Sequence, residues 1–345
     1  MTANVTFAGQ DVVAACRPGE SVLCAGLRAG LRLSYECASG GCGSCRARLL
    51  EGSVSTRWAE APGLNERDRR RGNRVLMCQS VPDGDCTIKA PPVALVEDVV
   101  EPVPDRLLAQ LTGRDRLTAD TALFTVRFDA ALRFLPGQFI LLESPAGVRR
   151  AYSMAHPMRD QDSMSAEFVI RAKPGGAASR WLFDDIGIGD TLVAEGPYGR
   201  AYVRSHGSRP VLCIAGGTGL APILAITEHL LTTDHPPSLH LYVGHRGYST
   251  VILAERIGRL HDMGAVLTMS LEDPTVDGAT PSLGGCPPSS VRSGLVLDHV
   301  TADWTDLGGH DIYLAGPPAM IDTGLRILVR DRGALADRVF ADRFF

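Results

Sequence analysis

Four cysteines in the N-terminal part of the chain constrain its fold more than any other feature. The first two are separated by four residues, the second and third by two, and the last follows after 32 more: Cys37, Cys42, Cys45 and Cys78. This is the spacing of the thiolates that ligate a [2Fe–2S] cluster. Gly40, Gly41 and Gly43 permit positive φ angles, so the loop can wrap around a cluster and direct N–H groups at its sulfurs.

A Cys₄ zinc site is the alternative for these cysteines. Zinc ribbons usually bring their cysteines as two close pairs, whereas here three share one loop and the fourth is remote. The segment Tyr35–Cys45, together with Met77–Gln79, resembles plant-type ferredoxin domains, and the resemblance covers residues 1–92. It implies a β-grasp fold. A predicted strand near Val5–Phe7 and a predicted helix near Ser21–Ala29 agree with an α+β unit of this kind.

A short string in the middle of the chain, Arg150-Ala151-Tyr152-Ser153, has the residue types of a flavin site. In a strand, Arg150 and Tyr152 point to the same face. A guanidinium can form paired hydrogen bonds with phosphate oxygens, an aromatic ring can stack on the isoalloxazine, and the Ser153 hydroxyl can bond near N5. Exposed arginines and tyrosines are also common on strands without any ligand, so this string alone is weak evidence.

Further strings in a fixed order strengthen the flavin interpretation. Pro174-Gly175-Gly176 precedes a predicted short helix through Ser179, whose N-terminal N–H groups can hold a pyrophosphate. Alternation such as Leu123–Phe128 predicts a small antiparallel barrel. With Glu195–Gly199, these strings resemble the flavin domain of the ferredoxin–NADP reductase superfamily. The resemblance implies FAD, with five contact residues: Arg150, Tyr152, Ser153, Gly176 and Ser179.

The region after Pro210 predicts a nucleotide-binding sheet. A strand, Val211–Ala215, runs into Gly216-Gly217-Thr218-Gly219 and a helix, where a parallel sheet binds a dinucleotide phosphate. The string is not G-x-G-x-x-G, and such a turn can equally be a tightly packed helix entry. The same superfamily shows this turn with a late Cys-Gly-Pro-Pro, where this chain has Ala315 in place of the cysteine. The resemblance implies six coenzyme contacts: Gly216, Gly217, Thr218, Gly219, Gly316 and Pro317.

Two further positions concern the choice of coenzyme and the tail. Arg246 follows the second strand, where a 2′-phosphate would need a cation, but relatives that use NADH often carry an arginine here too. We therefore expect NADH, with NADPH possible. The tail Val339–Phe345 is similar to the aromatic tails that lie by the flavin in oxygenase reductases. Phe344 is accordingly expected to act beside Tyr152 and Ser153 as a catalytic residue, although a terminal aromatic pair could also cap the core.

These motifs predict a multidomain α+β and α/β chain. Its segments are a ferredoxin domain, a linker, an FAD-binding β-barrel and an NAD(P)-binding domain, at 1–92, 93–104, 105–206 and 207–345. Strands and helices alternate in the last domain, which argues for a parallel sheet: Val211–Ala215, Ala221–Leu231, Leu239–Val243, Ile252–Met263 and Ala265–Met269. The segment Glu272–Ser293 is rich in Pro, Gly and Ser and is expected to be a surface loop.

Composition and charge exclude several classes of protein. The 345 residues carry a net charge of −4, without the basic footprint of a nucleic-acid binder. No apolar run reaches the roughly 18 residues of a membrane span, so no membrane partner is expected. The N-terminus lacks a secretory pattern, and we expect a reducing cytoplasm. The five cysteines outside the cluster set are expected to be small buried apolar residues.

Taken together, the chain resembles the NADH-dependent reductase components of bacterial ring-hydroxylating dioxygenases and multicomponent monooxygenases. The resemblance implies hydride transfer from NADH to FAD, then single-electron transfer through the cluster to a separate terminal oxygenase, of Rieske or diiron type. Because nicotinamide gives two electrons together and a cluster accepts one, FAD must stand between them. Reduction of another small or protein acceptor, and a low-turnover redox-sensing module, are the alternatives.

Overall fold

A computed structural model describes residues 2–10, 12–91, 101–158, 163–204, 207–274, 283 and 285–344. Within these ranges the chain forms three units, which we call the N-terminal unit (residues 2–91), the middle unit (101–204) and the C-terminal unit (207–344). Each is built on its own principal sheet. None of the helices in these ranges has the length and apolar character needed to cross a membrane.

The N-terminal unit is a mixed five-stranded sheet with one main helix. Its elements are β1 (Ala3–Phe7), β2 (Val12–Cys16), α1 (Val22–Arg28), β3 (Arg46–Glu51), β4 (Val54–Thr56), α2 (Glu66–Arg70), β5 (Arg74–Leu76), β6 (Ser80–Pro82) and β7 (Cys86–Lys89). The strand order is β2-β1-β7-β3-β5, and β1 and β7 are parallel. Ser21 caps α1 by accepting a hydrogen bond from the Cys24 amide, so the helix begins where its sequence offers a capping hydroxyl. The predicted strand and helix are confirmed.

The middle unit is a six-stranded antiparallel sheet. Its elements are β8 (Asp105–Arg116), β9 (Thr121–Leu132), β10 (Phe139–Glu143), β11 (Arg149–Ser153), β12 (Ser163–Arg171), α3 (Ala177–Arg180), a π-helical turn (Trp181–Asp185) and β13 (Thr191–Tyr198). The order is β11-β10-β13-β8-β9-β12, and a bridge between Met154 and Phe168 joins its two ends. Phenylalanines from alternate positions of β9 fill the interior. The predicted antiparallel barrel is confirmed as a curved, barrel-like sheet.

The C-terminal unit is a six-stranded, fully parallel sheet. Its elements are β14 (Val211–Gly216), α4 (Leu220–Leu231), β15 (Leu239–His245), α5 (Ala254–Asp262), β16 (Val266–Leu271), β17 (Val291–Ser293), α6 (Val296–Asp303), β18 (Asp311–Gly316), α7 (Pro318–Leu325) and β19 (Val339–Arg343). The order is β17-β16-β15-β14-β18-β19. Helices cover both faces, which explains why β14 and β18 are buried at every position. The short turns here are Gly217–Gly219, Tyr248–Thr250, Pro288–Ser290 and Ala336–Arg338, all 3₁₀, and the π-helical Arg326–Asp331.

The predicted strands and helices of the C-terminal unit agree with the observed ones to within two residues, and two differences have a structural cause. Helix α5 begins at Ala254 rather than Ile252, because Leu253 adopts a left-handed conformation with φ of 52° that interrupts the helix. The segment expected to be only a surface loop also contains β17, which pairs with β16 and extends the sheet. Residues 275–282 and 284 of that segment lie outside the described residues.

The linker and the domain boundaries stay predictions. Residues 93–100 of the predicted linker lie outside the described residues, residues 101–104 form no helix or strand, and β8 begins at Asp105. The five cysteines outside the cluster set are free and buried, as expected: Cys16, Cys24, Cys86, Cys213 and Cys286.

The N-terminal and middle units share one apolar core. Phe139, Leu141 and Tyr198 of the middle unit belong to the same buried cluster as the core of the N-terminal unit. The rings of Tyr35 and Tyr198 meet edge to face at 5.9 Å, and the Gly199 amide donates to the Tyr35 hydroxyl at 3.2 Å. This interface therefore lies two residues from the first cysteine of the predicted cluster loop.

Candidate functional site

The cysteine loop has the backbone that a wrapped cluster requires. Ala38, Gly40 and Gly43 adopt positive φ angles. A side chain at Gly43 would place its Cβ 2.5 Å from the carbonyl oxygen of Gly63, so only glycine fits at this close approach. The loop is thus held against the segment before α2.

The four cysteine sulfurs lie as two pairs. The sulfurs of Cys45 and Cys78 are 3.2 Å apart, and the Cys37 and Cys42 thiols are hydrogen-bonded to each other. Their shared hydrogen bond lowers the pKa of the Cys37 thiol and raises the pKa of the Cys42 thiol, so Cys37 is the one closer to the thiolate form that binds metals. Backbone amides also point at sulfur: the amide of Cys42 donates to Cys37, and that of Ser44 donates to Cys42, each at 3.4 Å.

This arrangement fits two irons better than one zinc ion. Two irons require two thiolates each, with N–H donors near the sulfurs, and both features are present. A structural zinc ion requires four ligands around one point. Here the four sulfurs lie as two pairs instead. The residues present therefore fit a [2Fe–2S] cluster.

Strand β11 brings the predicted flavin residues together. Arg150 and Tyr152 lie on one face of the strand, and the Arg150 guanidinium lies 5.2 Å from the ring centre of Trp58 in the N-terminal unit. Arg149, on the other face, is buried and bonds Glu195 at 2.6 Å. The same glutamate accepts a hydrogen bond from Tyr198 at 2.7 Å. Ser153 thus shares the face of β11 that carries the buried ion pair, and Arg150 and Tyr152 share the other face.

Ser153 is bonded to an acid that the sequence analysis missed. Its hydroxyl donates to Asp342 Oδ2 at 3.1 Å, across 189 residues of chain. Burial raises the pKa of the Asp342 carboxyl to about 7, Glu36 adds to this effect, and the Ser153 hydrogen bond opposes it. Next to it, the Phe344 amide donates to the Gly316 carbonyl at 3.0 Å. The tail therefore lies beside the serine predicted to contact the flavin.

The second glycine string of the middle unit begins a helix, as predicted. Gly176 is the residue before α3, which continues into the π-helical turn. The Ser179 hydroxyl accepts a hydrogen bond from the Lys173 amide at 2.7 Å, which closes the loop. Ser179 is thus engaged in loop closure, and its predicted flavin contact stays a prediction.

The glycine turn after β14 is packed as closely as a helix entry can be. A Cβ on Gly219 would lie 2.2 Å from the Ala315 carbonyl oxygen, and one on Gly216 would lie 2.3 Å from the Met320 sulfur. Gly217 has a positive φ of 55°, and a Cβ at this residue would have no neighbour within 4 Å, so its side of the turn is open. The structure thus shows the packed helix entry at Gly219, while Gly217 faces open space and its contact with the coenzyme stays a prediction.

A cavity of about 470 Å³ opens at the carboxyl ends of the parallel strands. Five of the predicted coenzyme residues line it: Gly216, Gly217, Thr218, Arg246 and Pro317. The middle unit contributes Asp120, Thr121 and Arg171 to the same wall. A parallel sheet binds dinucleotides at this edge. Gly219 and Gly316 do not line the cavity; they form the packed layer beneath it.

An ion pair joins the tail to the cluster loop. Arg343 Nη1 bonds Glu36 Oε1 at 2.6 Å, and the other carboxylate oxygen of Glu36 accepts from Ser44 at 3.4 Å. Arg343 also bonds Asp322 of α7 at 3.0 Å. The C-terminal strand is thus tied to the loop that carries Cys37.

Sequence reasoning missed three charged participants of the site: Glu36, Asp342 and Arg343. Asp342 and Arg343 stand inside the tail that was singled out for its aromatic residues, and Glu36 directly precedes a predicted ligand. Their charge was the available signal. Their partners, however, are far away in sequence and could not be read from it.

Comparison with known families divides the chain as the fold does. A 2Fe-2S iron-sulfur cluster binding domain matches residues 5–83, an oxidoreductase FAD-binding domain matches 108–202, and an oxidoreductase NAD-binding domain matches 213–324.

Individual relatives match over nearly the full length. The ferredoxin–NAD(+) reductase component of the alkene monooxygenase system of Xanthobacter autotrophicus is 40% identical over 331 residues, which cover 95% of this chain and 97% of that protein. A ferredoxin–NAD(P)(+) reductase of Metapseudomonas resinovorans is 37% identical, covering 96% of each chain. Among solved structures, the ferredoxin reductase in carbazole 1,9a-dioxygenase superimposes with a TM-score of 0.83 at 33% identity, covering 100% of this chain and 99% of that one.

Proposed function

Because the chain belongs to the family of ferredoxin–NAD(P)⁺ reductase components of oxygenase systems, we propose that it transfers electrons from NADH to the acceptor protein of such a system. It carries the iron–sulfur, FAD-binding and NAD-binding domains that define this family. The observation that carries the proposal is the arrangement of four thiols as two pairs, three of them in one loop and the fourth between β5 and β6, with that loop joined through the tail to the flavin strand.

The middle unit holds FAD. When bound, FAD accepts a hydride and releases electrons one at a time. Arg150 binds its phosphates, Tyr152 packs on the ring, and the Ser153 hydroxyl is held in place by Asp342. Gly176 and Ser179 place the start of α3 at the pyrophosphate. Phe344, whose amide donates to the Gly316 carbonyl, would lie beside the ring system on the side of the tail.

The cavity in the C-terminal unit binds the nicotinamide coenzyme. Gly216, Gly217 and Thr218 receive its phosphates at the start of α4, while Gly219 and Gly316 let the strands and the turn approach closely. Pro317 and Arg246 line the same cavity, where Pro317 would border the nicotinamide and Arg246 the ribose. We expect NADH to be preferred, with NADPH possible.

The cluster at Cys37, Cys42, Cys45 and Cys78 delivers the electrons. The names of both relatives specify a ferredoxin as acceptor. The electrons go to a separate oxygenase component of such a system. We infer from the two names that a ferredoxin relays them, and direct transfer to the oxygenase is the second route. A separate assay of each candidate acceptor distinguishes them.

The cytoplasm is the proposed location. Thiolate ligands and free cysteines persist in a reducing compartment, and NADH is available there. The domain boundaries proposed from the sequence, at 92, 104 and 206, fall in the intervals between the three family matches.

An anaerobic titration with NADH and NADPH, followed by visible absorption and EPR, tests the proposal. We expect flavin bleaching and then the EPR signal of a reduced cluster. Cys78→Ser should lose that signal and keep the bleaching, while Cys86→Ser, at a buried cysteine outside the loop, should keep both. A wild-type protein that bleaches only slowly and passes no electron to the cluster would instead indicate a low-turnover redox sensor.

A further inference from the structure

An arginine-rich surface lies beside the cysteine loop. Helix α2 and the residues after it carry five arginines and two acids between positions 66 and 74, whereas the whole chain has a net charge of −4. Arg67, Arg70 and Arg71 are exposed and line an open groove of about 540 Å³. We call these three residues the arginine surface. Exposed positive charge concentrated on one surface of an acidic chain favours a partner of negative charge.

The positive charge of this surface is only partly compensated. Arg70 pairs with Glu66 at 3.0 Å, but both side chains are exposed, so solvent weakens the pair. The second acid of the segment, Asp68, is buried. Within the part of the chain that the structure describes, Arg67 and Arg71 belong to no ion pair. These two arginines lie one helical turn apart, so their charges face the same side of α2.

Helix α2 is attached to the cysteine loop by hydrogen bonds. The Gly63 amide, in the segment that leads into the helix, donates to the Gly40 carbonyl at 2.9 Å. The Arg46 guanidinium donates to the Gly43 carbonyl at 3.2 Å and to Asp68 of α2 at 3.0 Å. The arginine surface is therefore held in a fixed place beside the loop.

Cys42 lies on the solvent-facing side of the cysteine loop. Its side chain is half-buried, as is Gly41, whereas the other three predicted cluster ligands are buried. An acceptor of electrons must come close to the cluster, and this exposed part of the loop is where it can do so. Gly40 and Gly43, on either side, are the residues that contact the segment before α2. A protein that approaches Cys42 therefore also meets the arginine surface.

We propose that the arginine surface docks the acidic face of a one-electron acceptor protein and speeds its encounter with the cluster. In the transfer that follows, the reduced cluster loses one electron and one acceptor gains it. One NADH thus becomes NAD⁺ and a proton while two acceptor molecules are reduced. The proposal rests on the proposed electron-transfer function, and it adds the charge of the partner and the surface that receives it.

The rates at which two haem proteins of opposite charge are reduced test this proposal. Stopped-flow mixing of the loaded, NADH-reduced protein with acidic cytochrome b5 and with basic cytochrome c gives a second-order rate constant for each. For cytochrome b5 this constant should fall about tenfold between about 20 mM and about 300 mM salt, because salt screens the attraction. In Arg67→Gln combined with Arg71→Gln, its value at low salt should be about fivefold below that of the wild type. The constant for cytochrome c should not fall in this variant.

A matched control removes the same charge from other parts of the chain. Arg127→Gln combined with Arg259→Gln replaces two exposed arginines of the middle and C-terminal units. Both rate constants should stay within about twofold of the wild-type values. The cluster should be reduced by NADH at the wild-type rate in both double variants, since neither changes the coenzyme cavity or the flavin strand.

The outcomes separate two failures. If neither salt nor the Arg67, Arg71 variant lowers the rate constant for cytochrome b5 while NADH still reduces the cluster, the docking surface is wrong and the electron-transfer function stands. An equal loss in the control variant would also overturn the docking surface, because net charge would then account for the effect. If NADH reduces neither the flavin nor the cluster, the proposed function itself fails.

Discussion

The ion pair between Arg343 and Glu36 allows a quantitative test of how the tail holds the cluster loop. We consider Arg343→Gln, which keeps much of the length of the side chain and removes its charge. The two groups are 2.6 Å apart, and their side chains are 23% and 26% exposed. The variant should loosen the loop, because Glu36 also accepts a hydrogen bond from Ser44 between two of the cysteines.

The expected magnitude follows from the partial burial of the pair. Exposed ion pairs contribute about 0.2–1 kcal/mol, and hydrogen bonds to charged groups about 1.5–3 kcal/mol. Because the side chains of this pair are about a quarter exposed, its contribution to stability should lie between these ranges, at about 1–1.5 kcal/mol. This corresponds to roughly a tenfold change in a local equilibrium. Loss of the pair should therefore raise the population of an opened loop by up to about tenfold.

Hydrogen exchange of the loaded protein measures this opening directly. Amides of residues 37–45 should exchange up to about tenfold faster in Arg343→Gln than in the wild type. Stopped-flow mixing with NADH supplies a second readout. Flavin bleaching should change little, because Arg343 does not line the coenzyme cavity, whereas the later reduction of the cluster should slow.

A matched control is available in the N-terminal unit, which carries the cysteine loop. Arg70 and Glu66 form an ion pair whose side chains are 80% and 81% exposed, so Arg70→Gln should change the exchange of residues 37–45 by less than about twofold. The reasoning is refuted if the amides of residues 37–45 exchange at the wild-type rate in Arg343→Gln. It is also refuted if the effects of Glu36→Gln and Arg343→Gln on that exchange are fully additive in the double variant. Additivity would mean that the two groups do not interact.

Three other perturbations have expected outcomes. Gly219→Ala would place a Cβ 2.2 Å from the Ala315 carbonyl oxygen and should lower the free energy of unfolding by about 1–3 kcal/mol. In the control Gly309→Ala, whose Cβ would have no neighbour within 4 Å, the free energy of unfolding should change by less than about 0.5 kcal/mol. Equal urea midpoints for the two variants would contradict this. Arg149→Met removes the cation that pairs with the buried Glu195 and should lower the free energy of unfolding by about 3–5 kcal/mol. The double variant Arg149→Met, Glu195→Gln no longer buries an unpaired charge, so it should recover part of this stability in the same urea assay. Because burial raises the pKa of Asp342 to about 7, the folded protein binds a proton that the unfolded chain has lost, and wild-type stability falls from about pH 4 to pH 7. The melting temperature of Asp342→Asn relative to the wild type should therefore rise between about pH 4 and pH 7; a constant difference would exclude a raised pKa.

Much of the fold followed from local sequence. The cysteine spacing, the glycine turn after β14 and the alternation of apolar residues in β9 each lie within a short stretch of chain, and the family matches confirm the three units they predicted. Errors occurred where a tertiary contact or one backbone angle overrides local preference. Leu253 delays α5, and β17 forms because β16 offers it a hydrogen-bonding edge.

The sequence predicted the motif residues of the site but not the residues that orient them. Arg150, Tyr152 and Ser153 share a strand, and Gly216 to Thr218 share a cavity, as their spacing indicated. The partners that orient them could not be inferred, because Ser153 meets Asp342 across 189 residues and Glu36 meets Arg343 across 307. Contacts of this range depend on how units pack, and a single sequence carries no local signal for them.

Both long-range contacts originate from adjacent residues of one strand. Strand β19 pairs in parallel with β18, which places Asp342 beside Ala315 and Arg343 beside Gly316. Successive side chains of a strand point in opposite directions. Asp342 can therefore reach the flavin strand at Ser153 while Arg343 reaches the cluster loop at Glu36. The sheet that forms the coenzyme cavity thus fixes, through its last strand, the two elements between which electrons must pass.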